Sequence, residues 1–422
     1  MKKWGNIIRM KKILTFCTVV LVYWSSMVQA HEEHTAHQPS VLAMSVAFDA
    51  AGNLWRVSSN GAYVQVDSSR DLGKSFSKPI LINPIAQNIA VDSEARPKIA
   101  IGPEGNIYLT WTATMAKLST GYVWFARSIN DGKTFEKPVI VHQDRAEITN
   151  RFDALNVATN GNITVAWVDA PDLIAAKSAS KPYEGAAIYY AVSSNKGANF
   201  SPEQKLADSS YECCRIAFTN KPDGTVVAMW HHVFESSERD LMIAEIPLNV
   251  GQPPVIKRVT FGRWKADGCP HHGVALVAGG EGKNWWGYHM AWFDGGNDET
   301  GKNASLLYAR MDGEAWVSTP AKKFGNDKNQ AAYPALLSLG EKVWLVWRES
   351  ETNVSATKNT VKNTIRNTVL LLFSDDGGRS WDDAKVLATT LDKADYPQLL
   401  VKDNQPYLAW NTLNDGLQLI GL

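Results

Sequence analysis

The stretch Ser69-Arg70-Asp71-Leu72-Gly73-Lys74-Ser75-Phe76 (SRDLGKSF) returns about three hundred residues later as Ser374-Asp375-Asp376-Gly377-Gly378-Arg379-Ser380-Trp381 (SDDGGRSW). The shared positions are Ser69, Asp71, Gly73 and Phe76 in the first copy, and Ser374, Asp376, Gly378 and Trp381 in the second. A third copy runs through Ser128, Asn130, Gly132 and Phe135, and a more divergent one through Ser193, Asn195, Gly197 and Phe200. Asp or Asn at the third position accepts hydrogen bonds from nearby backbone N–H groups, and Gly at the fifth supplies a positive φ. The closing aromatic can tuck under the turn and bury a large apolar area. The stretch therefore reads as a tight connection between two strands.

Working outward, each copy sits inside a longer repeat. PKIAIGPEGNIYLTW (97–111), ALNVATNGNITVAW (154–167), RIAFTNKPDGTVVAMW (215–230), PALLSLGEKVWLVW (334–347) and PQLLVKDNQPYLAW (397–410) are each a short apolar strand, a polar turn and a second strand ending in Trp. MSVAFDAAGNLWRVSS (44–59) fits without the final Trp, and VALVAGGEGKNWWGYHMAW (274–292) fits with a longer turn. Trp111, Trp167, Trp230, Trp292, Trp347 and Trp410 recur every 55 to 63 residues. A third strand follows, as in YVQVDSS (63–69) or TVLLLFS (368–374), then a short fourth, as in PILIN (79–83) or PVIVH (138–142). Four antiparallel strands per unit, with β-branched alternation and no sustained helical periodicity, predict an all-β propeller. Seven first-and-second-strand pairs favour seven blades, with six as the alternative. The last unit ends after three strands, and the N-terminal segment is a candidate for its outer strand.

The eight-residue turn resembles the Asp box, or BNR repeat, of the sialidase superfamily. The resemblance covers residues 41–422 as architecture, and in that family the boxes are structural and lie at the blade periphery. It implies a site at the central mouth, built from the starts of the innermost strands and the loops after the Trp positions. The family grips a carboxylate with arginines, for which Arg96, Arg151, Arg215 and Arg348 are candidates. Its nucleophilic Tyr would be Tyr396 or Tyr333, backed by Glu349, with Asp153 or Asp169 as acid/base. The family's Arg-Ile-Pro signature is absent; Arg96-Pro97 and Arg215-Ile216-Ala217 are fragments of it.

A different chemistry is written around the same mouth, at two strand starts and one second-strand exit. Cys213-Cys214, Cys269-Pro270-His271-His272 and His231-His232 fall in adjacent units. Cys and His together suit copper or zinc, and a disulfide among the three cysteines is the competing use. Seven of the nine histidines fall in three clusters, at 31–37, 231–232 and 271–272, which favours metal contact over scattered structural roles. His31 would add an amine and an imidazole if it becomes the N-terminus.

That expectation comes from residues 1–30. Five basic residues, an apolar run at 13–24 and Val28-Gln29-Ala30 read as a secretory signal peptide, followed by a His-rich tail at 31–40. The expected location is periplasmic or secreted, with no stable membrane insertion after signal removal. Without the signal, 38 basic residues face 43 acidic ones, a net charge of about −5 that does not suggest a nucleic-acid partner. The sequence leaves three readings open: a propeller holding a small-molecule or glycan ligand or a metal ion, an exo-sialidase-type glycoside hydrolase, and a non-catalytic interaction scaffold.

Overall fold

The structure is a computed structural model that describes residues 42–91, 94–117, 119–211, 215–249, 251–265, 272–296, 305–357 and 360–422. Successive antiparallel groups follow one another along the chain. The first pairs Met44–Phe48, Leu54–Ser59, Val64–Ser69 and Ile80–Leu81 in that order. The same order recurs with the innermost strand at Lys98–Ile101, Asn150–Val157, Ala217–Asn220, Ala275–Gly279 and Ala332–Leu339. The groups at 150–210 and 217–258 share one sheet only through Ser210 facing His232. The last group, Gln398–Lys402, Gln405–Thr412 and Gly416–Gly421, has three strands among the described residues. A fourth strand drawn from residues 1–41 lies outside the described residues, as do the signal peptide and the His-rich tail.

Each innermost strand contacts the next along the chain, and Gln398–Lys402 contacts Met44–Phe48. These innermost strands together line one channel. The closing contact is specific: Gln398 Nε2 donates to Met44 O at 3.0 Å, and Asn411 Nδ2 donates to Leu42 O at 2.9 Å. The core lies between neighbouring groups. Trp111, Trp167, Trp230, Trp347 and Trp410 are all essentially buried on the second strands. Each contributes a large apolar area, so the Trp period seen in the sequence is the period of inter-sheet packing.

The eight-residue turns are built alike. Ser69 Oγ donates to Asp71 Oδ1 at 2.7 Å and accepts from Gly73 N at 2.8 Å, while Ser75 N donates to Asp71 Oδ1 at 2.9 Å. The same three bonds recur around Ser128–Asn130–Gly132, Ser193–Asn195–Gly197 and Ser374–Asp376–Gly378. These bonds hold the Asp71 carboxyl down to about 2, chiefly through Ser75, and hold Asp376 further down through Ser380. One element departs from the all-β expectation: Pro171–Ser178 is an α-helix of 8 residues. Pro at its first turn fits a helix start, and its faces show no apolar stripe for periodicity to reveal. Among the described residues no helix is long and apolar enough to cross a membrane.

Candidate functional site

The channel holds a cavity of about 360 Å³ lined by all of the innermost strands, with Lys98, Arg215, Tyr396 and Gln398 as its polar side chains at or near the strand starts. Two of those starts are bent. Register shifts between Arg151 and Ala154, and again between Ala332 and Ala335, mark β-bulges. Within them Phe152 and Tyr333 take φ of 55° and 56°. Bulky residues avoid the left-handed region, so this backbone is strained by about 1–3 kcal/mol at each site, and bulges of this kind re-aim side chains.

Arg96 is 2% exposed. Its Nη1 and Nη2 each donate to a different oxygen of Asp395 at 2.6 Å, and Nη1 also donates to Met44 O at 3.0 Å. Burial works against its charge, but Asp395 overrides this and raises the pKa. The guanidinium also lies 3.5 Å above the Tyr396 ring. Arg96 therefore ties three sequential parts of the ring together, with its two terminal nitrogens committed to the protein.

Tyr396 is the centre of the cluster. Arg215 approaches its ring at 5.5 Å, and Tyr333 stacks on it at 5.8 Å. Arg348 lies 4.6 Å over Tyr333, and His272 meets the same ring edge-on at 5.1 Å. Burial pushes the Tyr396 phenol up, with Arg96 and Arg215 opposing. Arg215 Nη2 donates to Val274 O at 3.2 Å, and its backbone N–H donates to Glu94 Oε2 at 2.8 Å. Glu94 Oε1 accepts from Gly273 N at 2.9 Å and lies 3.9 Å from Arg215 Nη1. Glu94, just upstream of Arg96, escaped the sequence reading; its place beside a strand start was the signal for it. Arg348 Nη1 donates to Ala394 O at 2.6 Å, so backbone carbonyls rather than a carboxylate receive it.

Asp153 joins the cluster through Lys98. It accepts from Thr110 Oγ1 at 2.7 Å and Thr112 Oγ1 at 2.9 Å, and Lys98 Nζ lies 3.6 Å away while donating to Arg96 O. Burial lowers the Lys98 pKa against the pull of Asp153. Arg151 packs 5.0 Å from the Phe152 ring.

Other candidate residues stand apart. Glu349 accepts from Trp347 Nε1 at 3.0 Å, Asn326 N at 2.8 Å and Asn329 Nδ2 at 3.1 Å. Asp169 accepts from Trp167 Nε1 and Ala170 N, both at 2.8 Å, and burial raises its pKa to about 7 despite those bonds. His231 and His232 are consecutive in Val226–Phe234, so their rings lie on opposite faces of the sheet. His231 packs edge-on to Trp264 and His232 to Phe234. Burial lowers both to about 4. Cys213, Cys214, Cys269, His271 and His31 lie outside the described residues. Among the described residues no group of three or more His, Cys, Asp or Glu side chains is placed to hold a metal ion.

No family model matches the chain, and no curated protein matches it. Solved structures do. A Fusarium graminearum GH93 α-L-arabinofuranosidase in complex with arabinobiose is 12% identical, with a TM-score of 0.49 over 78% of this chain and 94% of that one. A Penicillium chrysogenum α-L-arabinanase, also with arabinobiose, is 15% identical, with a TM-score of 0.44 over 72% and 88%. A Hadza microbial sialidase is 14% identical, with a TM-score of 0.47 over 85% and 73%.

Proposed function

We propose that the protein is an exported, sialidase-like propeller of seven blades that binds a small carboxylate-bearing ligand, of the glycan class, at its central mouth. The carrying observation is the stack in which Arg215 and Arg348 flank Tyr396 and Tyr333 at the strand starts. Arg348 has carbonyl partners only among its described hydrogen bonds, so its charge is available to an anion. Arg96 supports this surface from behind through Asp395. Counting each strand group as a blade supports seven, and the basic and apolar segments at 1–30 support export.

Binding is favoured over hydrolysis because the carboxylates nearest Tyr396 are occupied. Asp395 is held by Arg96, and Glu94 takes two backbone N–H groups. A phenol raised by burial needs a free base to ionise. The test is calorimetric titration with N-acetylneuraminate, beside turnover of a fluorogenic sialoside. Saturable binding that falls at least about tenfold in an Arg215→Ala/Arg348→Ala variant supports the reading, a change of about 1.4 kcal/mol. No binding, or binding unchanged in the variant, overturns it. Sialoside turnover abolished by Tyr396→Phe would instead make Tyr396 a nucleophile. A copper or zinc ion at Cys213, Cys214, Cys269 and His271 is a separate proposal, supported by His272 reaching the mouth at the end of that segment, and elemental analysis of the purified protein tests it.

A further inference from the structure

The spacing Trp-x-acid occurs on three second strands, closing the strand at Trp167–Asp169 and Trp292–Asp294 and lying within it at Trp347–Glu349. In the first and third, the indole N–H donates to the carboxylate at 2.8 Å and 3.0 Å. In the second this bond is missing. Among the described residues Asp294 accepts one hydrogen bond, from Gly296 N to Oδ1 at 2.8 Å, and has no cation within ion-pair reach. Its neighbour Asp240 shows the contrast. Asp240 pairs with Arg258 and accepts from Thr260 Oγ1, Gly262 N and Arg263 N.

The open carboxylate borders a cavity of about 410 Å³ between the strand groups at 217–258 and 275–324. Trp292, Met290, Leu307 and Pro320 give it apolar walls, and Phe261 stands on the rim at 67% exposure. Asp294 Oδ2 lies so near Gly262 that a Cβ there would come within 2.4 Å of it. Glycine at 262 therefore leaves room for the carboxylate. A half-buried carboxylate with one hydrogen bond and no counter-ion among the described residues is costly, and an apolar pocket with one oriented polar group is the usual form of a small-ligand site.

We propose that this inter-sheet pocket binds a small organic cation, a primary ammonium on an aromatic or aliphatic body. The ammonium pairs with Asp294, and the body covers Phe261 and packs on Met290 and Leu307. The pocket is separate from the central mouth, so this inference stands independently of the function proposed there.

The probe is 2-phenylethylammonium chloride, titrated into the full chain by calorimetry with tryptophan fluorescence in parallel; neutral 2-phenylethanol is the control. Saturable binding of the ammonium is expected, with the alcohol at least about tenfold weaker. Asp294→Asn should weaken the ammonium by a similar factor while the circular dichroism spectrum is kept. Phe261→Ala, at a position 67% exposed, should weaken it several-fold and serves as the decisive variant if Asp294→Asn fails to fold. The proposal is overturned if the parent shows no saturable binding, if the alcohol binds as well as the ammonium, or if either folded variant binds as the parent does.

Discussion

Arg96 shows how one residue can look like a ligand grip and serve as a bolt. Its side chain is 2% exposed and that of Asp395 is 5% exposed, and the pair spans 299 positions in sequence. Removing one partner of such a pair strands a buried charge. Asp395→Ala should therefore cost about 3–5 kcal/mol, read as a lower urea midpoint, whereas an Arg96→Met/Asp395→Leu replacement should recover most of that loss. The arginines at the mouth were legible because charged residues at strand starts are conspicuous. Their division of labour was not, because it depends on which carboxylate each one meets. Glu349 illustrates the same point. The Trp-x-acid spacing at 347–349 and 167–169 was in the sequence, yet only the indole bonds show that both acids are already engaged.

In the repeated turn the acceptor role of Asp or Asn and the positive φ of Gly were legible because that chemistry is local, whereas the bonds made by the first Ser Oγ were not anticipated. What the sequence did not carry is what each turn packs against. Gly132 has φ +74°, and a Cβ there would lie 2.1 Å from Trp55 of the preceding strand group. Gly73 has φ +83°, but its nearest side-chain neighbour, Leu54, is at an ordinary 3.5 Å. Both alanine substitutions meet the left-handed penalty of roughly 1–2 kcal/mol. Gly132→Ala must also displace a buried indole, and overpacking adds about 1–3 kcal/mol. In thermal or urea unfolding, Gly132→Ala should therefore be clearly less stable than Gly73→Ala. Equal losses would mean that the turns do not lock neighbouring groups. The bulges at Phe152 and Tyr333 were illegible for the converse reason: neither residue favours a positive φ, and only the register of the neighbouring strand reveals it.

For the whole molecule, the strand order was readable because the Trp period, the turn chemistry and the apolar pairs agree. The pH response is a property of the packed whole, since no sequence window shows burial. His289 is fully buried, its Nδ1 lies 2.6 Å from Tyr308 Oη, and burial lowers it to about 3, with Arg310 and Arg379 adding to the effect. A folded pKa below the unfolded value of about 6.5 gives stability that is complete above that pH and is lost as pH falls toward 3. His231, lowered to about 4, acts in the same direction. Asp169 acts in the opposite one: raised to about 7, it favours the folded state as pH falls below 7. Asp71, held at about 2, changes nothing until the pH drops below the ordinary carboxylate range. The histidine share is isolated by comparing the parent with His289→Gln from pH 7 to pH 4. The variant starts less stable because its buried polar contact changes, but it should lose less on acidification, by on the order of 3 kcal/mol at pH 4. Parallel stability curves for the two proteins would show that His289 protonates as freely in the folded chain as in the unfolded one, and that the sheet interface around it admits water.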